Sequence, residues 1–164
     1  MRCVRYSVPS RLIGRQLQVH LHHDRIVGYL GKQVVVELPR LRVKDQSKRR
    51  GRSINYRHVI EGLRRKPRAF LYCTWQQDLL PNDHYRQLWN QVKAQFDLDA
   101  AAIVMVEALY IAATQDKEAS VAAYLEAQLQ TQSLSLVGLK AHFPLPSSTS
   151  LPQLNITQPP LCDA

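Results

Sequence analysis

Residues 53–67 read SINYRHVIEGLRRKP, and this stretch joins two halves of the chain that obey different periodicities. Counted from Tyr56, the apolar residues Val59, Ile60 and Leu63 follow at i+3, i+4 and i+7, the spacing of one buried helical stripe. The spacing predicts a helix that docks on something, capped by Ser53 or Asn55. At about 100° per residue, Arg57, Arg64 and Arg68 share another side, with Glu61 among them and Arg65 and Lys66 nearby. That basic side calls for a partner or for water.

Before this segment the pattern has period two. Leu17, Val19 and Leu21 alternate with Gln16, Gln18, His20 and His22, the signature of a half-buried strand. HHDR then supplies a turn, RIVGYL a second strand, Gly31 and Lys32 another turn, and QVVVEL a third strand closed by Pro39. A fourth strand is expected from VRYSVP, with Pro9 at an edge or strand end because proline cannot donate to the ladder. Small basic sheets of this kind commonly form compact barrels. The stretch LRVKDQSKRRGRS has no apolar period, carries six basic residues and reads as a mobile loop.

After the segment the pattern is helical. A helix starting near Asn82 or Asp83 places Tyr85, Leu88, Trp89, Val92 and Phe96 on one stripe. Asp97 or Asp99 is expected to cap the next, AAIVMVEALYIAA, which is apolar nearly all round and belongs at the centre of its bundle. Asp116 is expected to start a fourth helix with Val121, Tyr124, Leu125 and Leu129 inward, and Ser133 or Ser135 a fifth ending near Phe143. Beyond Pro144 the chain is rich in Pro, Ser and Thr, and no fixed structure is expected. The fold class is therefore α+β: a partial antiparallel β-barrel at 4–42, a basic loop at 43–53, a helical region at 54–143 and a disordered tail at 144–164.

With 164 residues and 45% apolar composition the chain can bury a core. It has no run of about 18 uninterrupted apolar residues and no apolar signal-peptide core, so a cytoplasmic protein without a membrane role is expected. Cys3, Cys73 and Cys162 lie far apart and suggest reduced thiols. The charge is segregated: residues 1–68 hold 18 Lys and Arg against 4 Asp and Glu, a net of +14, whereas residues 69–164 hold 4 against 9, a net of −5. A basic half of that strength, joined to a half rich in helical stripes, points to a segment that binds nucleic acid beside one that packs against protein. Lys48, Arg49, Arg50, Arg52, Arg57, Arg64, Arg65, Lys66 and Arg68 are the candidate phosphate contacts.

Evidence for catalysis is thin. Asp78, Asp83, Asp97, Asp99, Asp116 and Glu118 fall at expected helix starts and read as caps. His20 and His22 share a strand face, but no third metal ligand of suitable type lies nearby in sequence. There is no GxSxG elbow and no glycine-rich phosphate loop. Neither a cofactor nor a catalytic residue is expected. An RNA-binding reading of the basic sheet is disfavoured because Tyr29 is the one aromatic between Val8 and Arg52.

The ordered combination YSVPSRLIG at 6–14, VHLHHDRIVGYLGKQVVVELPRL at 19–41, the basic loop, INYRHVIEGLRRKPRAF at 54–70 and DLLP at 78–81 resembles the carboxy-terminal part of IstA-type insertion-sequence transposases. The resemblance covers roughly residues 5 to 96, and Arg68 stands where that family usually has the glycine of KPGAF. Such transposases belong with retroviral integrases and phage Mu transposase, in which an RNase-H-like domain carrying three acids cuts and joins DNA. A small β-barrel that contacts DNA follows it, and then a helical region. The resemblance implies a truncated fragment that lacks the catalytic triad, binds the duplex DNA backbone, and has transposase subunits and an AAA+ helper ATPase as partners. The alternative function is an assembly module between those proteins that does not touch DNA.

Overall fold

The structure, a computed structural model, describes residues 4–41 and 51–145. Alternation in the basic half becomes a three-stranded antiparallel meander: β2 (Gln18–Leu21), β3 (Arg25–Leu30) and β4 (Gln33–Pro39), in spatial order β2-β3-β4. Leu30 pairs with Gln33, so Gly31 and Lys32 are the two-residue loop, and Gly31 supplies the positive φ of 64° that such a tight hairpin requires. Gly28 meets a different demand. A Cβ there would lie 2.7 Å from Val36 Cγ1, at the point where the β3–β4 register shifts between Gly28 and Tyr29.

The segment around Tyr6 does not extend this sheet. Strand β1 (Arg5–Tyr6) runs parallel to β5 (Arg52–Ser53), pairing Arg5 with Arg52 and Tyr6 with Ser53. The expected fourth strand is therefore a two-residue clasp onto the approach to the helical half, and the Leu41 N–H donates 2.8 Å to the Tyr6 hydroxyl to hold the end of the meander to it. Among the described residues the two sheets close no barrel. Most of the basic loop, residues 42–50, and the tail beyond 145 lie outside the described residues.

The helix expected from Tyr56 onward is divided. Tyr56–His58 forms a 3-10 turn whose N-cap, Asn55, accepts a hydrogen bond from the Arg57 N–H, while Ser53 is used in β5. Helix α1 (Ile60–Arg65) follows and stops at Lys66, which leaves the helical region at φ −137° and ψ 70° because Pro67 crowds the residue before it. The stripe survives the division: Tyr56 and Ile60 are buried, and Val59 and Leu63 pack against the core.

Four further helices complete the half: α2 (Asp83–Gln95), α3 (Leu98–Gln115), α4 (Glu118–Gln130) and α5 (Leu136–His142). Asn82, Asp97 and Ser135 cap α2, α3 and α5 through side-chain acceptors, at positions the sequence marks. Asp116 behaves differently. It ends α3 in the left-handed conformation at φ 54°, which Asp tolerates better than most residues, and α4 starts after Lys117 without a side-chain cap. The α2 stripe Tyr85, Leu88, Trp89 and Val92 is fully enclosed, with Phe96 half-buried behind it. Helix α3 is central, touching α1, α2, α4, α5 and the Pro67–Phe70 turn. By length and composition it is apolar enough to cross a bilayer, yet Met105, Leu109 and Ile111 are buried inside the protein.

One apolar cluster runs from Tyr56 to Phe143, and no residue of the meander belongs to it. On the sheet, Val27 is buried, whereas Val19, Leu21, Leu30 and Val34 remain exposed.

Candidate nucleic-acid interface

The basic side of the joining segment faces carboxylates of the helical half. Arg64 leaves α1 toward α3, where Glu107, 6% exposed, is a charged residue in the central helix. Arg64 Nε donates to Glu107 Oε2 at 3.1 Å and Nη2 donates to Oε1 at 3.0 Å, a fork that supplies the counter-charge a buried carboxylate needs. The guanidinium also lies over the Tyr110 ring, 4.0 Å from its centroid, and Lys140 Nζ approaches Glu107 Oε1 at 3.8 Å.

Seven residues earlier, in the 3-10 turn, Arg57 Nη2 donates to Asp116 Oδ1 at 2.6 Å and to Glu118 Oε1 at 2.8 Å. The Tyr56 hydroxyl donates to that same Glu118 oxygen at 2.5 Å, and the Tyr85 hydroxyl to the Glu118 carbonyl at 2.8 Å. Burial disfavours the Glu118 charge and is the largest single influence on it. The hydrogen bonds from Tyr56 and Arg57 with the Arg57 charge outweigh burial, so the pKa lies below its ordinary 4.5. Burial, followed by the bond to Glu118, raises the Tyr56 phenol far above its ordinary range.

Arg68 pairs with Asp99 in the first turn of α3, and this bond holds the Asp99 carboxyl below its usual range. Arg52 Nε lies 3.3 Å from Asp78 Oδ2, an ion contact in which that buried oxygen completes no hydrogen bond. Arg65 and Lys66 are exposed and pair with no carboxylate among the described residues. Lys48, Arg49 and Arg50 lie outside the described residues. The charge segregation thus has an internal component: Arg52, Arg57, Arg64 and Arg68 tie the basic segment to the acids of the helical half.

Other cations sit in the amino-terminal part, dispersed enough that no run in the sequence marks them. Arg5, Arg11, Arg15, Lys32 and Arg40 are exposed and lack a carboxylate partner among the described residues. Arg5 lies over the Trp75 ring at 5.8 Å, and Arg40 Nη1 donates to the His22 carbonyl at 2.8 Å. The signal that could have found them is the scarcity of acids around them, Asp24 and Glu37 being the two described carboxylates before residue 42.

The clasp near β1 continues through side chains. Ser7 Oγ accepts from the Asn55 N–H at 2.7 Å, and His58 Nδ1 lies 3.0 Å from both Ser7 Oγ and the Ser7 carbonyl oxygen. Burial lowers the His58 pKa, and the bond to the Ser7 carbonyl opposes it only in part.

The acids read as caps divide into caps and ion-pair partners. Asp97 caps α3, Asp83 pairs with Arg86, and Asp78, Asp99, Asp116 and Glu118 pair with the basic segment. Among the described residues no three His, Cys, Asp or Glu side chains are grouped to hold a metal ion. His20 packs its ring against Tyr29 at 4.7 Å. Cys73 is a free thiol, and Cys3 and Cys162 lie outside the described residues.

Comparison with known proteins adds an independent line. The chain is 34% identical over 157 residues to the uncharacterized protein y4jA/y4nE/y4sE of Sinorhizobium fredii (strain NBRC 101917 / NGR234), a match over 95% of this chain and 31% of that protein. The chain therefore spans about a third of the length of this curated relative. No solved structure matches it. Residues 1–48, which contain the meander, match the family model of the Mu transposase C-terminal domain, and this match supports a C-terminal transposase part.

Proposed function

We propose that this chain serves DNA transposition by holding the phosphate backbone of duplex DNA, and that cutting and joining are not carried out by its own side chains. The observation that carries the DNA-binding reading is the set Arg5, Arg11, Arg15, Lys32, Arg40, Arg65 and Lys66: all face water, and no described carboxylate neutralises them. Uncompensated cations of this density favour a polyanion, because binding releases condensed counterions. Lys48, Arg49 and Arg50 extend the same set in sequence. Arg52, Arg57, Arg64 and Arg68 take a positioning role in this reading, since their ion pairs fix the basic segment on the helical core. The non-catalytic reading is supported by the commitment of the acids to caps and arginines: even Asp116 and Glu118, which come together, do so on the Arg57 guanidinium, whereas two-metal phosphoryl chemistry needs acids turned to the metal ions.

The barrel belongs to the same proposal. Both outer edges of the meander are unpaired among the described residues, and Val19, Leu21 and Val34 are half or more exposed, as strands of an open barrel wall are. DNA and transposase subunits are the partners this reading requires, with an AAA+ helper ATPase entering from the family resemblance, and the cytoplasm is the compartment. The test is a salt titration of binding to a duplex of arbitrary sequence. With about four to six phosphates neutralised, log K falls with log salt at a slope of about −4 to −5. No binding at low salt, or a slope near zero, leaves the assembly-module alternative in its place.

A further inference from the structure

Tyr72 is 84% exposed, in a segment whose neighbours are fixed. Phe70 is fully buried with its ring edge-on to Trp89 at 5.1 Å, and Leu71 and Cys73 pack against the same core. The backbone is held on both sides: the Leu71 N–H donates to the Arg68 carbonyl at 3.0 Å, Gln76 Nε2 donates to the Phe70 carbonyl at 3.1 Å, and the Gln76 N–H donates to the Cys73 carbonyl at 3.0 Å. An aromatic ring displayed to water from an ordered backbone is a preorganised surface, and its binding loses little conformational entropy. Cations precede it in the sequence. Arg68, 72% exposed at its side chain, lies within electrostatic reach of the phenol and keeps N–H donors beyond those turned to Asp99. Arg65 and Lys66 precede it on the same short segment, exposed and without a described carboxylate.

We propose that Tyr72 is a stacking platform for an unpaired nucleobase of single-stranded or frayed DNA, with Arg65, Lys66 and Arg68 taking the adjoining phosphates. Every base has a π-face, so such a platform tolerates any sequence, and cations beside it follow the backbone. The inference rests on the DNA-binding reading above and narrows it: the duplex is held through scattered cations, while an opened end is held through one ring. Stacking at Tyr72 also supplies the exposed aromatic that the meander lacks for single-strand contact.

The experiment measures binding of the full chain, by fluorescence anisotropy, to a blunt duplex, the same duplex with a 3′ oligothymidine overhang, and oligouridine of equal length. Tyr72→Ala should weaken overhang binding by about 5-fold to 100-fold, leave the blunt duplex within twofold, and leave the unfolding midpoint unchanged. Tyr72→Trp should retain overhang binding, and its indole emission should be quenched on stacking. Equal overhang affinity for wild type and Tyr72→Ala, with the duplex still bound, overturns the stacking site alone. Failure to bind any of the three overturns the DNA-binding reading and the site with it. Tyr72-dependent binding tighter to oligouridine than to the DNA overhang overturns DNA as the source of the base. A change in sedimentation on Tyr72→Ala, with unchanged overhang affinity, makes the ring a protein contact and overturns the proposal.

Discussion

Arg64 closes one donor edge, Nε and Nη2, on both carboxylate oxygens of Glu107, at 3.1 and 3.0 Å, and thereby joins the basic segment to the middle of the central helix. Glu107 is almost fully enclosed, while Arg64 retains contact with water through a side chain 37% exposed. The pair is therefore asymmetric: losing the arginine leaves a buried charge, whereas losing the carboxylate leaves a cation that water can still reach.

Removing the arginine accordingly costs more than removing both partners. Arg64→Ala should destabilise the chain by about 2 to 3 kcal/mol, below the roughly 3 to 5 of a fully buried pair because Arg64 is partly solvated and Lys140 remains near. The double change Arg64→Met with Glu107→Leu should recover most of that loss. Urea unfolding at pH 7 decides it, and a double variant as unstable as Arg64→Ala would show that the fork itself, and not the uncompensated carboxylate, sets the cost.

Glu118 makes a second join acid-sensitive. Its folded pKa lies below the ordinary 4.5, so its contribution is present above that value and is lost as pH falls through the folded pKa. Asp99 has the same sign through Arg68. Unfolding free energy should fall steeply below about pH 4.5, and Glu118→Gln should flatten the fall while lowering stability at pH 7. A curve of unchanged steepness would rule out Glu118 as the group responsible.

His58 gives a third dependence of the same sign, in a higher pH range. Its folded pKa is lowered from 6.5, mainly by burial, so the unfolded chain takes up the proton first. Stability is complete above about pH 6.5 and declines as the pH drops from there toward the folded value. The thermal midpoint should therefore rise between pH 5 and 7, and His58→Gln should remove much of that rise. A wild-type midpoint constant over this range contradicts it.

For DNA, the two kinds of arginine should separate. Arg65→Ala with Lys66→Ala should weaken all duplexes alike and flatten the salt slope by about 0.9 for each lost contact, with little effect on folding. Arg57→Ala should lower stability first, because its guanidinium holds Asp116 and Glu118. Anisotropy titrations paired with melting curves separate the two, and an equal loss of slope from both changes would mean that Arg57 leaves its carboxylates to bind phosphate.

Protection should also divide along the chain. Amide exchange should be slowest in α3 around Met105 and Leu109 and much faster across β2, a four-residue edge strand outside the main apolar cluster. Exchange of the meander as slow as that of α3 in dilute protein would mean that the sheet is covered and its edges paired.

The amino-acid sequence by itself determined the local structure. Alternation around Val19 specified the meander, the glycine at 31 its hairpin, and the spacing of Tyr85, Leu88, Trp89 and Val92 the face α2 buries. Asn82, Asp97 and Ser135 announced their helices, since a cap needs only a short acceptor beside the first turn. These features depend on residues at most a few positions apart. Tertiary structure alone decided that Arg5–Tyr6 pairs with Arg52–Ser53 instead of joining the meander, because two-residue strands carry no period and their partner is 47 positions away. It alone turned Asp116 from a helix start into a left-handed helix end. It also divided the basic side chains into those that hold the protein together and those that face water. A guanidinium bonds a carboxylate or a phosphate through the same donors, so its charge is legible in the sequence, and its partner is fixed only when folding brings residues such as Arg64 and Glu107 together.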